Sequence, residues 1–278
     1  MGDFAVDTAI EGGDGRYRAT LSPDWEIWGP NGGYVAAIAL RAAGAESRFA
    51  RPASFSGQFL SSAKFDQVDI SVEVLRGTRV ADALFVRMNQ GDRAVLAALV
   101  WVVDEVEGVE HDFAPMPDVP PPHEVPSFDE RAAGDPELPP PPFVFWENLE
   151  GRMMGWLPLA EREPGEPLAR GWYRFRPRAT FDDPFVDAAR SLLLIDTMGW
   201  PAAVRAHPDP IGVVAPNLDV AARFHRLEPA SEHLFVEAVA PVADDGLIGA
   251  STRVFSESGL LLASGGEQLL CRPIRTPA

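Results

Sequence analysis

Apolar and polar positions along this chain form two series of the same order, each a helix followed by strands. From 30 to 48 (PNGGYVAAIALRAAGAESR) apolar residues occupy nearly every side of a helical wheel, and such a helix has to be wrapped by other structure. Asn31 suits its N-cap, and Gly32 and Gly33 leave the first N–H groups clear of side chains. Strand-like runs follow near 57–60, 68–75, 83–88 and 94–103, the last two joined by a turn at NQGD. The second series opens at Asp183, which can cap the helix FVDAARSLLLIDTMGW with Pro184 at its first position. Its strand-like runs lie near 218–225, 233–240, 248–255 and 260–271, with SESG between the last two.

Eleven of the 27 prolines fall between 115 and 142, in a stretch with few apolar residues, which predicts an extended linker. The resulting division is 1–110, a linker over 111–145, and 146–278. Each half closes on two strands around a short polar turn, ALFVRMNQGDRAVLAALVWV and ASTRVFSESGLLLASGGEQLL, and the shared order points to an internal duplication. The predicted fold class is α+β: two tandem repeats, each a central helix wrapped by a curved antiparallel sheet, with the sheets paired edge to edge. Two unrelated α+β lobes are the alternative.

Charge and composition narrow the function. With 24 Lys+Arg against 41 Asp+Glu the net charge is −17, which argues against nucleic acid or an anionic membrane as partner. Cys271 is the single cysteine, so disulfides within the chain and cysteine-based zinc sites are excluded. A reducing, cytoplasmic location is expected, since the longest apolar run, 94–103, is far shorter than a membrane span and MGDFAVDTAIEGG does not read as a signal peptide. The histidines at 111, 123, 207, 225 and 233 show no metal-ligand spacing, and no metal or cofactor is expected. There is no G-x-S-x-G elbow, and GGDGRYR lacks the third glycine of a dinucleotide loop. The helix start at Asn31, Gly32 and Gly33 has two readings: an oxyanion-binding dipole end, or close packing of the helix onto a neighbour.

NGGYVAAIALRAA, PFVFWENLEGRMMGW, ARSLLLIDTMGWPAA, APNLDVAARFHR and SESGLLLASGGEQLLCRP, in this order, resemble the double-hotdog acyl-CoA thioesterases, a group that includes bacterial thioesterase II. The resemblance covers nearly the whole chain. It implies an acyl thioester such as acyl-CoA as substrate and a homo-oligomer formed through the hotdog sheets. It also implies an active site in the second half, where an aspartate, a Ser or Thr hydroxyl and a glutamine hold the attacking water. The aspartate is expected at Asp219 in NLDVAARFHR. An ungapped match puts Glu267 at the glutamine position, while side-chain chemistry favours Gln268, its neighbour. Only one of these two can face the site, because a one-residue shift reverses the strand face. The hydroxyl position lands on Pro241, with no Ser or Thr from 234 to 250.

The N–H groups of Gly33 and Tyr34 are the expected oxyanion donors, which requires the first-half helix to face the second-half strands across a pseudo-twofold axis. Matching the following strand starts makes Ser56 the first-half counterpart of Asp219, so one working site is expected. Arg174, Arg176 and Arg178 alternate along GWYRFRPR and so share one strand face, either a solvated outer face or a contact for coenzyme A phosphates. Met153 and Met154, between Trp146 and Trp156, read either as an acyl channel or as core. Two further functions stand beside a hydrolase: a catalytically silent acyl-thioester-binding protein, favoured by Pro241, and a hotdog dehydratase, for which NGGY supplies no His or Glu.

Overall fold

The computed structural model describes residues 1–135, 137–157, 161–207 and 211–274. In chain order, α1 (Phe4–Asp7), β1 (Glu11–Gly13) and β2 (Arg16–Thr20) precede α2 (Gly32–Glu46). Then come β3 (Arg51–Phe59), β4 (Gln67–Gly77), β5 (Ala81–Gln90) and β6 (Arg93–Val103). The second half holds α3 (Phe128–Gly134), β7 (Leu149–Met153), β8 (Leu168–Phe175), α4 (Pro184–Val204) and the short β9 (Val213–Val214). It ends with β10 (Asp219–Phe224), β11 (His233–Asp244), β12 (Leu247–Ser256), β13 (Leu261–Leu270) and β14 (Arg272–Pro273).

Twelve strands form one antiparallel sheet in the order β1-β2-β4-β5-β6-β3-β10-β13-β12-β11-β8-β7, and β9 pairs with β14 apart from it. Counted outward from the β3–β10 seam, the halves read β3-β6-β5-β4 and β10-β13-β12-β11, the same topology twice. The seam is the predicted edge-to-edge pairing, with Asp219 opposite Gln58 and Ala221 opposite Ser56. It gives two edges a ladder partner that would otherwise be unpaired.

The two long helices lie inside the curve of this sheet and against each other. Every residue of α2 from Gly33 to Leu40 is buried, as the all-round apolar pattern requires. Side chains such as Ile38 and Leu40, with no exposed surface, each contribute roughly 2–3 kcal/mol by burial. Asp183 caps α4, its carboxylate accepting from Phe185 N (2.8 Å) and Val186 N (3.3 Å). The helices run antiparallel: Gly33 meets Leu193 and Asp196, and Gly44 meets the ring of Phe185.

The proline-rich segment is not a free spacer. Met116, Val119 and Val125 pack on Trp172, Phe235 and Phe255, on the face of the second half turned away from the helices, and Trp172 Nε1 donates to Pro120 O (2.9 Å). Ser127 and Glu130 form a capping box that starts α3. An extended proline stretch leaves its carbonyls open to donors such as Trp172, and its few apolar residues suffice to cover this face.

Candidate active site

A cavity of about 730 Å³ opens where the start of α2 meets the middle of α4. Asn31, Gly32 and Val35 line it from α2, Asp196, Thr197 and Trp200 from α4, and Asn217 from the segment entering β10. Pro139–Pro142, Phe143 and Trp146 roof it, with Met153, Met154 and Trp156 alongside. The Met pair and its flanking tryptophans thus line a cavity.

Asp196 is the chemical centre of this wall. It stands in the middle of α4, after the apolar run Leu192–Ile195, with 4% of its surface exposed and, unlike the buried Asp187 of the same helix, no arginine paired to it. Gly33 N–H donates to its Oδ2 (2.5 Å), and Asn217 Nδ2 donates to its Oδ1 (2.8 Å) and to its backbone carbonyl (2.6 Å). Burial pushes its carboxyl up to about 7, opposed by the Asn217 bond and then by the Gly33 N–H. Beside it Thr197 Oγ1 donates to Leu193 O (2.8 Å) and accepts from Asn31 Nδ2 (3.2 Å).

Glu267 lies behind this group. It projects inward from β13, 3% exposed, and its Oε1 accepts from Gly199 N–H of α4 (2.8 Å). Burial, then the charge of Asp196 and lastly that of Asp219 hold Glu267 well above the ordinary carboxylate range, against the Gly199 bond. Its Oε2 is buried with no partner, which fits an oxygen that carries a proton. Two carboxylates in one dry neighbourhood disfavour each other's ionisation.

Several sequence expectations are placed differently by this geometry. Asp219 is the first residue of β10; the inward position is its neighbour Val220, and its carboxylate accepts from Gln268 N–H (2.9 Å), outside the cavity lining. Gln268 is exposed and Glu267 is buried, so the strand phase turns Glu267, not Gln268, toward the helices. Pro241 sits exposed at an irregularity of β11 between Val239 and Val242, away from the cavity. It therefore has no bearing on the chemistry of that wall. The polar side chain beside the aspartate is the amide of Asn217.

The helix start also differs. Asn31 caps α2, its Oδ1 accepting from Tyr34 N–H (2.9 Å), and Gly33 N–H is taken by Asp196, so neither expected oxyanion donor is open. Tyr34 itself is core: its ring stacks on Trp25, and its hydroxyl donates to Asp7 O (2.8 Å) and accepts from Ser22 N–H (3.0 Å). Gly32, the first residue of the helix, lines the cavity, and its N–H makes no hydrogen bond among the described residues. β8 ends at Phe175, so of the three alternating arginines only Arg174 lies on the strand; Arg174 pairs with Glu232 and Glu150, Arg176 with Asp129 and Glu150, and Arg178 with Asp3, so all three charges are matched within the protein.

Gly33 serves packing and site together. A Cβ there would lie 2.7 Å from Leu193 Cα, in the backbone of α4. Gly33→Val is expected to push the helices apart and cost roughly 2–3 kcal/mol or more, read as a fall in Tm alongside any loss of turnover. A stable Gly33→Val protein would show that α2 can shift away from α4 at little cost. The counterpart of Asp196 under the internal symmetry is Gly44: each is the thirteenth residue of its helix, as Gly33 and Phe185 are each the second. At that opposite end the Phe185 ring fills the space over Gly44, a more direct reason for a single site than Ser56.

Asp196 and Asn217 do not stand out as site residues in the sequence, where the segment NLDVAARFHR points to Asp219 instead. The available signal was an aspartate in the run LLLIDTMGW with no basic residue one turn away, unlike Asp187, which Arg190 pairs at i+3.

Comparison with known proteins places these features in a wider group. Residues 111–270 match the model of the acyl-CoA thioesterase C-terminal domain, and residues 21–103 that of the N-terminal domain. No curated protein matches the sequence. Among solved structures, a candidate thioesterase II from Thermobifida fusca YX is 24% identical, with a TM-score of 0.81 over 99% of this chain and 98% of that one. An acyl-CoA thioesterase II, TesB2, from Mycobacterium marinum is 20% identical, with a TM-score of 0.78 over 98% and 99%. A hot dog protein of unknown function from Alicyclobacillus acidocaldarius is 22% identical, at 0.80 over 98% of each chain. Likeness at such identity establishes the hotdog fold.

Proposed function

We infer the reaction from the premise the two family models establish, that this chain belongs to the acyl-CoA thioesterase family: water, activated by Asp196, cleaves an acyl thioester bound in the cavity. The observation that carries this reading is a buried carboxylate at the mouth of a helix dipole, raised to about 7 and set in the wall of a largely apolar cavity. A base with that affinity for a proton is about half ionised near neutral pH and strong enough to draw a proton from water.

The steps follow from the donors and acceptors present. Asp196 accepts a proton from a water held beside it and the Asn217 amide, and the water oxygen bonds to the carbonyl carbon. The carbonyl oxygen, becoming an anion, is met by Gly32 N–H and the positive end of α2. Collapse of the adduct breaks the carbon–sulfur bond, and the proton on Asp196 passes to the departing thiolate. Glu267, protonated, leaves the site with one negative charge, so the proton is taken up at Asp196. The apolar wall of Trp28, Phe59 and Phe143 suits a hydrocarbon acyl chain.

Thiol release from a series of acyl-CoA chain lengths tests the reading. Turnover is expected with at least one chain length, and kcat/KM should rise with pH through about 7 as Asp196 ionises. Absence of turnover across the series, or a rate flat from pH 5 to 9, would overturn it.

A further inference from the structure

Arginines on the wall of the active-site cavity are of two kinds. Arg170 is internally matched: its Nε and Nη2 donate to Glu237 Oε2 (2.7 and 2.5 Å), and Arg253 pairs with the same carboxylate. Arg162, Arg205 and Arg272 line the same cavity and make no ion pair among the described residues. What sets them apart is their place: Arg152, Arg174, Arg176 and Arg178, outside the cavity lining, have carboxylate partners, and other arginines without one among the described residues, such as Arg16, Arg76 and Arg93, do not line the cavity. Unmatched guanidinium groups on a cavity wall suit an anion supplied by a ligand, and their fork of N–H donors fits phosphate oxygens in particular.

These three arginines belong to one end of the cavity. Thr197, Trp200, Val204 and Arg205 recur at helical spacing along the wall, so one face of α4 floors the cavity from Asp196 to Arg205. Nine residues of helix separate the two, about 13 Å along the axis. Arg205 O accepts from Gly165 N–H (2.8 Å), which ties the segment carrying Arg162 to the end of α4. Arg272 pairs with Val214 across β9 and β14, and Cys271 and Val213 share a smaller pocket with Ala203 and His207, which sets β14 beside the same helix end.

We propose that Arg162, Arg205 and Arg272 bind the phosphate-bearing arm of a coenzyme A thioester, so that the pantetheine lies along α4 with its sulfur at Asp196. The assignment rests on the thioesterase reading above and adds the orientation of the substrate. Pantetheine contains two amide units and is comparable to a short extended peptide, for which about four residues cover 13 Å. The acyl chain then points the other way, toward Trp28, Phe59 and Phe143.

Arg205→Gln, Arg272→Gln and the double variant test this with two thioesters of one acyl group, octanoyl-CoA and octanoyl-N-acetylcysteamine, the second lacking phosphate. In the double variant the ratio of kcat/KM for octanoyl-CoA to that for the N-acetylcysteamine thioester is expected to fall at least roughly tenfold, with KM carrying the change. Binding of free coenzyme A, followed by tryptophan fluorescence, should weaken by a similar factor and lose part of its salt dependence. An unchanged ratio with unchanged coenzyme A affinity would overturn the proposal, as would an equal loss toward both thioesters, which marks a structural role. Loss confined to an octanoyl acyl carrier protein would overturn coenzyme A as the source of the phosphate. Wild-type protein that hydrolyses neither small thioester would sink the reaction itself, while coenzyme A binding would still decide the role of the arginines.

Discussion

Asp196→Asn should lower kcat by roughly a thousandfold and leave KM for the thioester nearly unchanged, because it removes the proton acceptor but keeps the shape of the wall. The amide can still accept from Gly33 N–H, so the start of α2 stays in place. Asp219→Asn should fall within about twofold of wild type, since an amide oxygen can also accept from Gln268 N–H and the residue lies outside the cavity lining. Steady-state thiol release with both variants separates the assignments. Wild-type turnover by Asp196→Asn would remove it from the mechanism, and a large loss with Asp219→Asn alone would return the base to β10.

Stability should carry the same signature with a defined sign. The Asp196 carboxyl has an ordinary value of 3.8 and stands at about 7 in the folded protein. Below pH 4 it is protonated in both states and costs nothing. Between pH 4 and 7 the unfolded chain ionises while the native site keeps its proton, so native stability falls as pH rises, and above 7 the penalty is complete. A shift of this size corresponds to something on the order of 4 kcal/mol. Glu267, also raised, adds a penalty of the same sign. Urea unfolding of wild type and Asp196→Asn from pH 4 to 8 should therefore show the variant gaining on wild type as pH rises, to become the more stable protein at pH 8. If wild type instead gained on the variant across that range, the Gly33 and Asn217 bonds would outweigh burial and Asp196 would be an ordinary low carboxylate.

Much of the architecture was legible in the sequence, because it rests on local periodicity. Burial of α2 on nearly every side, the Asp183 cap and the repeated hairpins each follow from side-chain spacing within one element. The repeated order then implied the seam between β3 and β10. The site was harder because its parts meet only in three dimensions. Gly33 and Asp196 are 163 residues apart, and the affinity of the carboxylate for its proton depends on the burial that the two helices create together. The segment NLDVAARFHR points to Asp219, whereas the side chain bonded to Asp196 is that of Asn217, two residues earlier, and strand phase decides which residues of such a segment turn inward. Alternation predicts Arg174, Arg176 and Arg178 on one strand face, but β8 ends at Phe175, so only Arg174 belongs to it, and the acidic partners Asp3, Asp129, Glu150 and Glu232 come from other segments. The linker carried no periodicity, so its hold on Trp172 could not be read from its own composition.

The Phe185 ring seated over Gly44 bears on what duplication makes possible. Two identical halves related by a twofold axis would have to build the same groups at both ends of the helix pair. Either both ends would carry a buried acid, each with its penalty at neutral pH, or neither would. Joined in one chain, the halves are free to differ, and here one end carries a buried carboxylate with no arginine paired to it, while at the other the matching position is Gly44 under the Phe185 ring and the nearby acid, Asp187, is paired with Arg190. The rigid end can offset the strain of the reactive one, a division of labour that an assembly of identical halves cannot reach by any single substitution.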